Sequence, residues 1–321
     1  MADSSPTPSW RNFLDHRARL LVVLSTAATL AGWLGNLHWP LELLSHFIAW
    51  FAAGTFVAAL ILALCGGWRW AAAAALLCVI QAWVPLSWYL PARDAGPVGA
   101  PNCRILLANV LSQNLDTAAF LALAAALDPD IICVQEVTDR WREALKPLEV
   151  AYPVQGAVPR GDNFGIALYS RLPGPLPEIV FQREHEVPAM ALRFTAGGRE
   201  VNLLNLHTLP PIGGALAARR NAQLEGARKW LDAQAGPAVL IGDLNLTMYS
   251  PVYRRLVRGA GVRNARAGWG PLGTWPAWVP VMRLPLDQCL VKGIGISECR
   301  TVHIPGSDHL GLVVEFTVPA E

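Results

Sequence analysis

The residues with the plainest chemical potential are Asp243 and Asn245 in IGDLN, together with Asp308 and His309 in GSDHLGL. The first pair closes an apolar run, AVLIGDLN. Side chains alternate along a strand, so two residues two apart are predicted to point the same way at its C-terminal end. The second pair stands just before another apolar run, LGLVVEF. A carboxylate, an amide and a histidine delivered by the ends of buried strands suit metal-assisted attack of water on phosphorus. Water must be activated, phosphoryl oxygens held and developing charge neutralised.

The same pattern recurs along the chain. Asn109 ends ILLAN, Glu136 ends IICVQE, His207 ends VNLLNLH, and Asp287 opens LDQCLV. Taken singly, each has a plain reading: a turn or cap residue, a hydrogen-bonded structural histidine, or a surface acid after a strand. Those plain readings do not predict the order Asn, Glu, His, Asp-x-Asn, Asp, Asp-His. Hard divalent cations take carboxylate and amide oxygens. Glu136 is therefore the best single ligand, with Asn109 and Asp308 completing the shell directly or through water. His309 is the best candidate for acid/base work or phosphoryl-oxygen contact, and Asp287 for orienting its imidazole.

Strands and helices must alternate to bring these positions together. Strands are predicted at 104–110, 130–137 and 164–171, and over AVLIGDLN, LDQCLVKG and HLGLVVEFTV. AMALRFTAGGREVNLLNLHT reads as a hairpin with a Gly-Gly turn. Helices are predicted at 116–127, opened by Asp116, and at 140–148, 215–235 and 251–259. Hairpins mixed with helix-separated strands argue for α+β: two packed sheets with helices outside. There is no internal repeat, GxGxxG or P-loop, and GDNFG at 161–165 is a weak phosphate cradle.

The chain of 321 residues is 53% hydrophobic, too apolar on average for an ordinary soluble protein. The excess lies early: between Leu20 and Leu90 only Glu42 and Arg69 are charged, whereas acids and bases nearly balance from Pro101 onward. Apolar runs at 20–35, 41–65 and 70–90 approach the roughly 20 residues that cross a bilayer. They predict a three-helix anchor at 20–90, after an N-terminal segment 1–19, with a linker at 91–101 and a catalytic domain at 102–321. A signal peptide is disfavoured for the first run, because two more apolar runs follow it. Arg11, Arg17 and Arg19 precede that run and Arg69 lies in the second loop, while Arg93 and Arg104 follow the third. The balance predicts a cytoplasmic N-terminus. Three spans then place the catalytic domain outside the cytoplasm, on an inner (plasma) membrane. Gln81 and His46 inside the runs read as helix-packing groups. Cys133 and Cys289 read as core; Cys103 and Cys299 could pair if the fold brings them together.

The ordered set of motifs resembles the endonuclease/exonuclease/phosphatase superfamily of deoxyribonuclease I-like proteins. Its members include abasic-site endonucleases, sphingomyelinases and inositol-polyphosphate 5-phosphatases. The likeness runs over 104–318, carried most specifically by GDLN and SDH and more weakly by LLAN, VQE and NLHT. It implies a four-layer α/β sandwich and Mg²⁺, with Mn²⁺ as the alternate ion. It also implies that Glu136 binds metal with Asn109 assisting, and that Asp243 aligns or deprotonates the attacking water. Asn245 and His207 would contact the phosphate. His309 would stabilise the phosphorane-like transition state, oriented by Asp287, and Asp308 would complete the metal or histidine network. Gln288 stands where the family often has an aromatic residue or His. The anchor looks like that of membrane-tethered bacterial members.

The favoured expectation is a membrane-tethered phosphoesterase working on a phosphodiester or phosphomonoester near the bilayer, with a phospholipid-type headgroup as a candidate. An extracytoplasmic nuclease is the alternative, and a non-catalytic membrane sensor or binding module is a third. A nuclease calls for a basic surface, which the domain as a whole lacks; nucleic acid is not the favoured partner, and no protein partner is implied. Arg254, Arg255, Arg258, Arg263 and Arg266 read first as a solvated face and second as phosphate contacts. The segment GWGPLGTWPAWVP, 268–280, reads equally as a packed loop or as one dipping into a membrane beside the site.

Overall fold

The computed structural model describes residues 9–91, 100–180 and 187–319. Most of the predicted linker, Arg93 included, lies outside them, as do residues 1–8. The chain forms two units, Met1–Ser87 with Tyr249–Val252, and Trp88–Met248 with Tyr253–Glu321.

The first unit holds helices α1 (Ser9–Trp33), α2 (Trp39–Ser45), α3 (Ile48–Leu64) and α4 (Trp68–Leu86). Ala18, Val22, Ala58, Leu62, Ala71 and Ala74 form its interior; small side chains let helices approach closely. Polar groups are also inside. Gln81 Nε2 donates to Ser25 Oγ at 2.9 Å and Thr29 Oγ1 at 2.8 Å, and Ser25 Oγ lies 2.9 Å from Thr55 Oγ1. Gln81 thus ties helices together. Leu24, Leu60, Leu76, Val79 and Trp83 point outward and are exposed. An apolar exterior around a hydrogen-bonded interior inverts the usual soluble pattern.

The three expected spans are not equally formed. Among the described residues one helical run, Trp68–Tyr89, is long and apolar enough to cross a membrane; a second qualifies only if α2 and α3 count as one span bent by 61°. Helix α1 carries Arg11, Asp15, Arg17 and Arg19 along its first half. Its apolar part, 20–33, rises only about 21 Å at 1.5 Å per residue.

The second unit contains β1 (Cys103–Asn109), α5 (Thr117–Leu127), β2 (Ile131–Gln135), α6 (Asp139–Leu145), β3 (Val154–Val158), β4 (Ile166–Ser170), β5 (Glu178–Val180), β6 (Ala189–Ala196), β7 (Arg199–Leu206), α7 (Gly214–Asp232), β8 (Ala238–Asp243), α8 (Pro251–Ala260), β9 (Arg263–Asn264), β10 (Asp287–Lys292), β11 (Gly295–His303) and β12 (Leu310–Thr317). One sheet runs β11-β12-β1-β2-β4-β3 and the other β5-β6-β7-β8-β10-β9. Asp116 stands at the N-cap of α5, but its side chain makes no capping hydrogen bond.

The strands read as unbroken apolar runs because both of their faces are buried. Ile105, Leu107, Cys133, Leu168 and Leu312 of the first sheet pack on Leu192, Leu203, Val239, Ile241 and Val291 of the second. The alternate residues Leu106, Ala108, Ile132, Val134 and Val313 pack on Phe120 and Ala124 of α5 and Trp141 of α6. Each such Leu, Ile or Val contributes about 1.5–3 kcal/mol by leaving water. Helix α7 packs against β8 through Ala217, Leu224, Ala227 and Leu231, spaced as one helical face. The order is helices, sheet, sheet, helix, an α/β sandwich as expected. The Gly-Gly turn between β6 and β7 forms, with positive φ at Gly197 and Gly198. The six cysteines are free; Cys103 and Cys299, the expected candidates for a disulfide, are buried as thiols in the core between the sheets.

Candidate active site

Each sheet has one parallel pair among antiparallel neighbours: β1 with β2, and β7 with β8. The C-terminal ends of a parallel pair lie at one edge. An antiparallel neighbour starts where its partner ends, so the N-terminal ends of β12 (beside β1) and β10 (beside β8) lie at that same edge. Asn109 ends β1, Glu136 follows β2, His207 follows β7, Asp243 ends β8, Asp287 opens β10, and His309 precedes β12. Connectivity gathers the predicted polar residues at one edge of each sheet, and contacts between the sheets, His309 with Asp243 and Asp287 and Gln135 with Asp243, bring those two edges to one rim of the sandwich.

Asp243 is the centre of a buried cluster. Its Oδ2 lies 3.7 Å from His207 Nε2 and 3.7 Å from His309 Nε2, and His309 Nδ1 lies 2.8 Å from Asp287 Oδ2. Asp243 and Asp287 are direct register partners on β8 and β10. The Asp287 N–H donates to Thr274 Oγ1 at 3.3 Å. Phe164 packs its ring against His207, centroids 5.1 Å apart.

A second cluster adjoins it. Asn109 Nδ2 donates to Glu136 Oε1 at 3.0 Å, and the Ser112 N–H donates to Glu136 Oε2 at 2.9 Å. Ser307 joins the clusters: its hydroxyl donates to the Asn109 carbonyl at 2.7 Å and accepts the His309 N–H at 3.0 Å. Gln135 joins them from below. Its Oε1 accepts the Asp243 N–H at 2.9 Å while its Nε2 donates to Asn205 Oδ1 and the Leu206 carbonyl. A buried side chain of the first sheet thereby fixes the strand end that carries Asp243 on the second. Asp308 is half-buried; its Oδ2 accepts from Trp275 Nε1 at 3.0 Å.

One expectation changes. The strand stops at Asp243, so Asn245 does not share its direction through strand alternation. The Asn245 N–H donates to Asp243 Oδ1 at 2.9 Å, its φ is 48°, and its Nδ2 donates to the Thr208 carbonyl at 2.7 Å. The carboxylate turns the chain, and Arg220 Nη1 holds the Asn245 carbonyl at 3.2 Å. Glu136 is likewise left-handed, with φ 65°. Left-handed, non-glycine residues gather at working sites, where packing holds them in place. Gly242 has φ 150°, and a Cβ there would stand 1.8 Å from the Leu206 carbonyl oxygen. Gly242→Ala is expected to cost about 3 kcal/mol of stability, because the obstacle is backbone. A fall in Tm would register it; an unchanged Tm would contradict the packing described here.

The arginines do not form the expected single face. Arg266 is fully buried, donating to Gln288 Oε1 and the Leu272 carbonyl, and Arg263 Nη2 donates to the Ile294 carbonyl. Gln288 accepts from Arg266 and Asn264 and donates to the Leu246 and Pro285 carbonyls, so it anchors loops. Sequence reading passed over Gln135, Ser307, Thr274 and Phe164. Only Gln135, a polar residue inside an apolar strand, carried a local signal.

Electrostatics divide the acids. Burial raises the Asp243 pKa, and the nearby Asp287 charge raises it further. Burial acts the same way on Asp287, but the His309 charge and hydrogen bond outweigh it and hold Asp287 below the usual range. Burial disfavours charged His309, yet Asp287 and Asp243 overcome it and push its pKa up to about 10. That value lies above the ordinary 6.5. The pair's stabilisation is therefore complete below the ordinary value and lost as pH climbs through the raised one. In metal-free protein the His309 imidazole is expected to stay protonated at pH about 8, where a free histidine is neutral. An NMR titration reads this directly, and a midpoint near the free value would contradict the ion pair.

The donor chemistry fits a divalent ion. Asp308 Oδ1 is a buried carboxylate oxygen without a hydrogen-bond partner among the described residues, a costly arrangement for an anion unless a cation is near. Asp243, Asp287 and His309 offer ligand atoms within 4.8 Å of one another. Glu136 accepts one hydrogen bond per oxygen, leaving lone pairs on each.

Comparison with known proteins agrees with the sandwich fold. No curated protein matches the chain in sequence. Among solved structures, D. rerio TDP2 complexed with single strand DNA product is similar at TM-score 0.56 and 18% identity, covering 67% of this chain and 99% of that one. The human Nocturnin catalytic domain with bound sulfate anion is similar at TM-score 0.52 and 20% identity, covering 68% and 94%. Sphingomyelinase C from Streptomyces griseocarneus is similar at TM-score 0.50 and 18% identity, covering 67% and 99%. At such identities the likeness is one of fold. The family description, Endonuclease/Exonuclease/phosphatase family, matches residues 106–309, a span that opens in β1 and closes on His309, and the chain belongs to that family.

Proposed function

We propose that the chain is a membrane-tethered, Mg²⁺-dependent phosphoesterase that hydrolyses a phosphodiester or phosphomonoester by attack of water. The observation that carries this is Asp243, buried and 3.7 Å from both His207 and His309, with His309 braced by Asp287 at 2.8 Å. Glu136, Asn109 and Asp308 would hold the ion. His309 and Asp287 are closed on each other at 2.8 Å, whereas each Glu136 oxygen accepts a single hydrogen bond, so we assign the ion to the Glu136 side. A divalent ion held there would supply charge to neutralise and orient phosphoryl oxygens. Asp243, its pKa raised by burial, takes the proton of the attacking water. His309, held as imidazolium, donates to the phosphoryl oxygen as charge develops. His207 and the second N–H of the Asn245 amide contact the remaining oxygens.

The tether is our reading of the first unit: its apolar exterior and the apolar run Trp68–Tyr89 support contact with a membrane, and we assign three spans, α1, the α2–α3 pair and α4, in a plasma membrane. Arg11, Arg17 and Arg19 before the first apolar stretch favour a cytoplasmic N-terminus. An alkaline phosphatase fused to the C-terminus is then expected to be active, and an inactive fusion would reverse the orientation.

The chemical reading is tested with the full chain in detergent and Mg²⁺, given bis(p-nitrophenyl) phosphate, p-nitrophenyl phosphate, phospholipid and single-stranded DNA. Turnover of a diester or monoester supports it. Cleavage of DNA alone would promote the nuclease alternative, and no turnover of any substrate would leave a binding module.

A further inference from the structure

Residues 268–282, GWGPLGTWPAWVPVM, carry no charged side chain. Trp278 is 68% exposed and Val281 79%, with Trp269, Trp275 and Met282 also exposed. An apolar surface of this kind marks a contact with something other than water. The segment is nonetheless firmly held. The Arg283 guanidinium donates to the Ala277 carbonyl, and the Ala277 N–H donates to the Asp308 carbonyl at 2.7 Å. Trp275 Nε1 binds the Asp308 carboxylate at 3.0 Å, and the Leu310 N–H donates to the Thr274 carbonyl at 2.9 Å. These bonds seat the segment directly beside Asp308 and His309.

Its other end is tied to the place where the candidate span finishes. The N–H groups of Gly268 and Gly270 donate to the Trp88 carbonyl at 2.9 and 3.0 Å. Gly270, at φ 87°, lies so close to the Tyr89 ring that a Cβ would stand 2.5 Å from it. Trp88 and Tyr89 are the last residues but one and the last of the apolar run Trp68–Tyr89. If that run crosses a bilayer, chain continuity leaves residues 268–270 at the bilayer surface. The backbone also suits such a place: Pro276 and Pro280 have no N–H, and those of Ala277, Val279 and Met282 are bonded within the domain. Tryptophan itself favours the membrane interface.

We propose that residues 275–282 are an interfacial docking element that seats the mouth of the active site on a lipid bilayer. The substrate class is then a phosphoester in a membrane-lipid headgroup. This rests on the membrane-tethered phosphoesterase reading. It commits to lipid because a free protein partner would not explain the tie to the end of an apolar run.

The test uses the full chain in vesicles of phosphatidylcholine and phosphatidylglycerol. A Val281→Cys protein, with Cys65 and Cys78 changed to Ser and the four buried cysteines retained, is spin-labelled. Its accessibility to oxygen and to an aqueous nickel chelate is compared. A label shielded from the chelate is expected; a label as open to it as one in water would overturn the proposal, whether the surface serves a protein or nothing. In parallel, Trp278→Asp with Val281→Asp is expected to slow hydrolysis of vesicle phospholipid about tenfold or more while leaving bis(p-nitrophenyl) phosphate within about twofold. Equal loss on both substrates would make the segment merely structural and overturn the proposal. Wild-type protein inert towards both substrates would instead sink the phosphoesterase reading, and the spin label would still decide the docking.

Discussion

Asp243→Asn is expected to lower kcat for bis(p-nitrophenyl) phosphate by about 10³-fold, within the range ascribed to a positioned general base. The substitution keeps shape and volume. It replaces an anion facing two imidazoles at 3.7 Å by a neutral amide. The fold is expected to tolerate it: burying Asp243 beside Asp287 is electrostatically unfavourable, as its raised pKa records. Tm should therefore hold or rise while turnover collapses, the trade expected where an active site is strained for function. A variant retaining a tenth or more of wild-type kcat would move the base to another residue.

His309→Ala should lose both activity and stability. The imidazolium is the donor aimed at developing charge, and loss of one such donor costs about 10²–10³ in kcat. It is also the partner of Asp287, which is 1% exposed. Removing one member of a buried ion pair costs about 3–5 kcal/mol, because the other charge is stranded. Adding Asp287→Asn to His309→Ala removes that stranded charge, so Tm is expected to recover in part and kcat is not. Recovery of both would mean that His309 acts only by packing. A Tm unchanged in the single variant would contradict the ion pair.

What the sequence discloses, and what it hides, follows from how far apart the interacting groups lie. Asn109, Glu136, His207, Asp243, Asp287 and His309 were legible because each interrupts an apolar strand at its end, and strand ends share an edge. The hairpin from Ala189 to Leu206 was legible from its Gly-Gly turn. By contrast, β3 and β11 were missed: their residues are mostly half-buried, so neither forms an apolar run. The strand β5 spans only Glu178–Val180 and is mostly exposed. Arg266 and Arg220 look like helix or loop surface charge in the chain, yet both are fully buried against carbonyls and amides. Gln135 meets Asp243 across 108 positions, and no local pattern announces that bond. The bend between α2 and α3 falls at His46 and Phe47, where hydropathy gives no Pro or Gly to mark it.

The central claim is that this rim works through a divalent ion. The most direct measurement is the initial rate of bis(p-nitrophenyl) phosphate hydrolysis by EDTA-stripped full chain, followed as Mg²⁺ is titrated back. The rate is expected to be negligible without metal and to return along a saturating curve, with Mn²⁺ able to substitute. Stripped protein that turns over as fast as the Mg²⁺-loaded form would contradict the account.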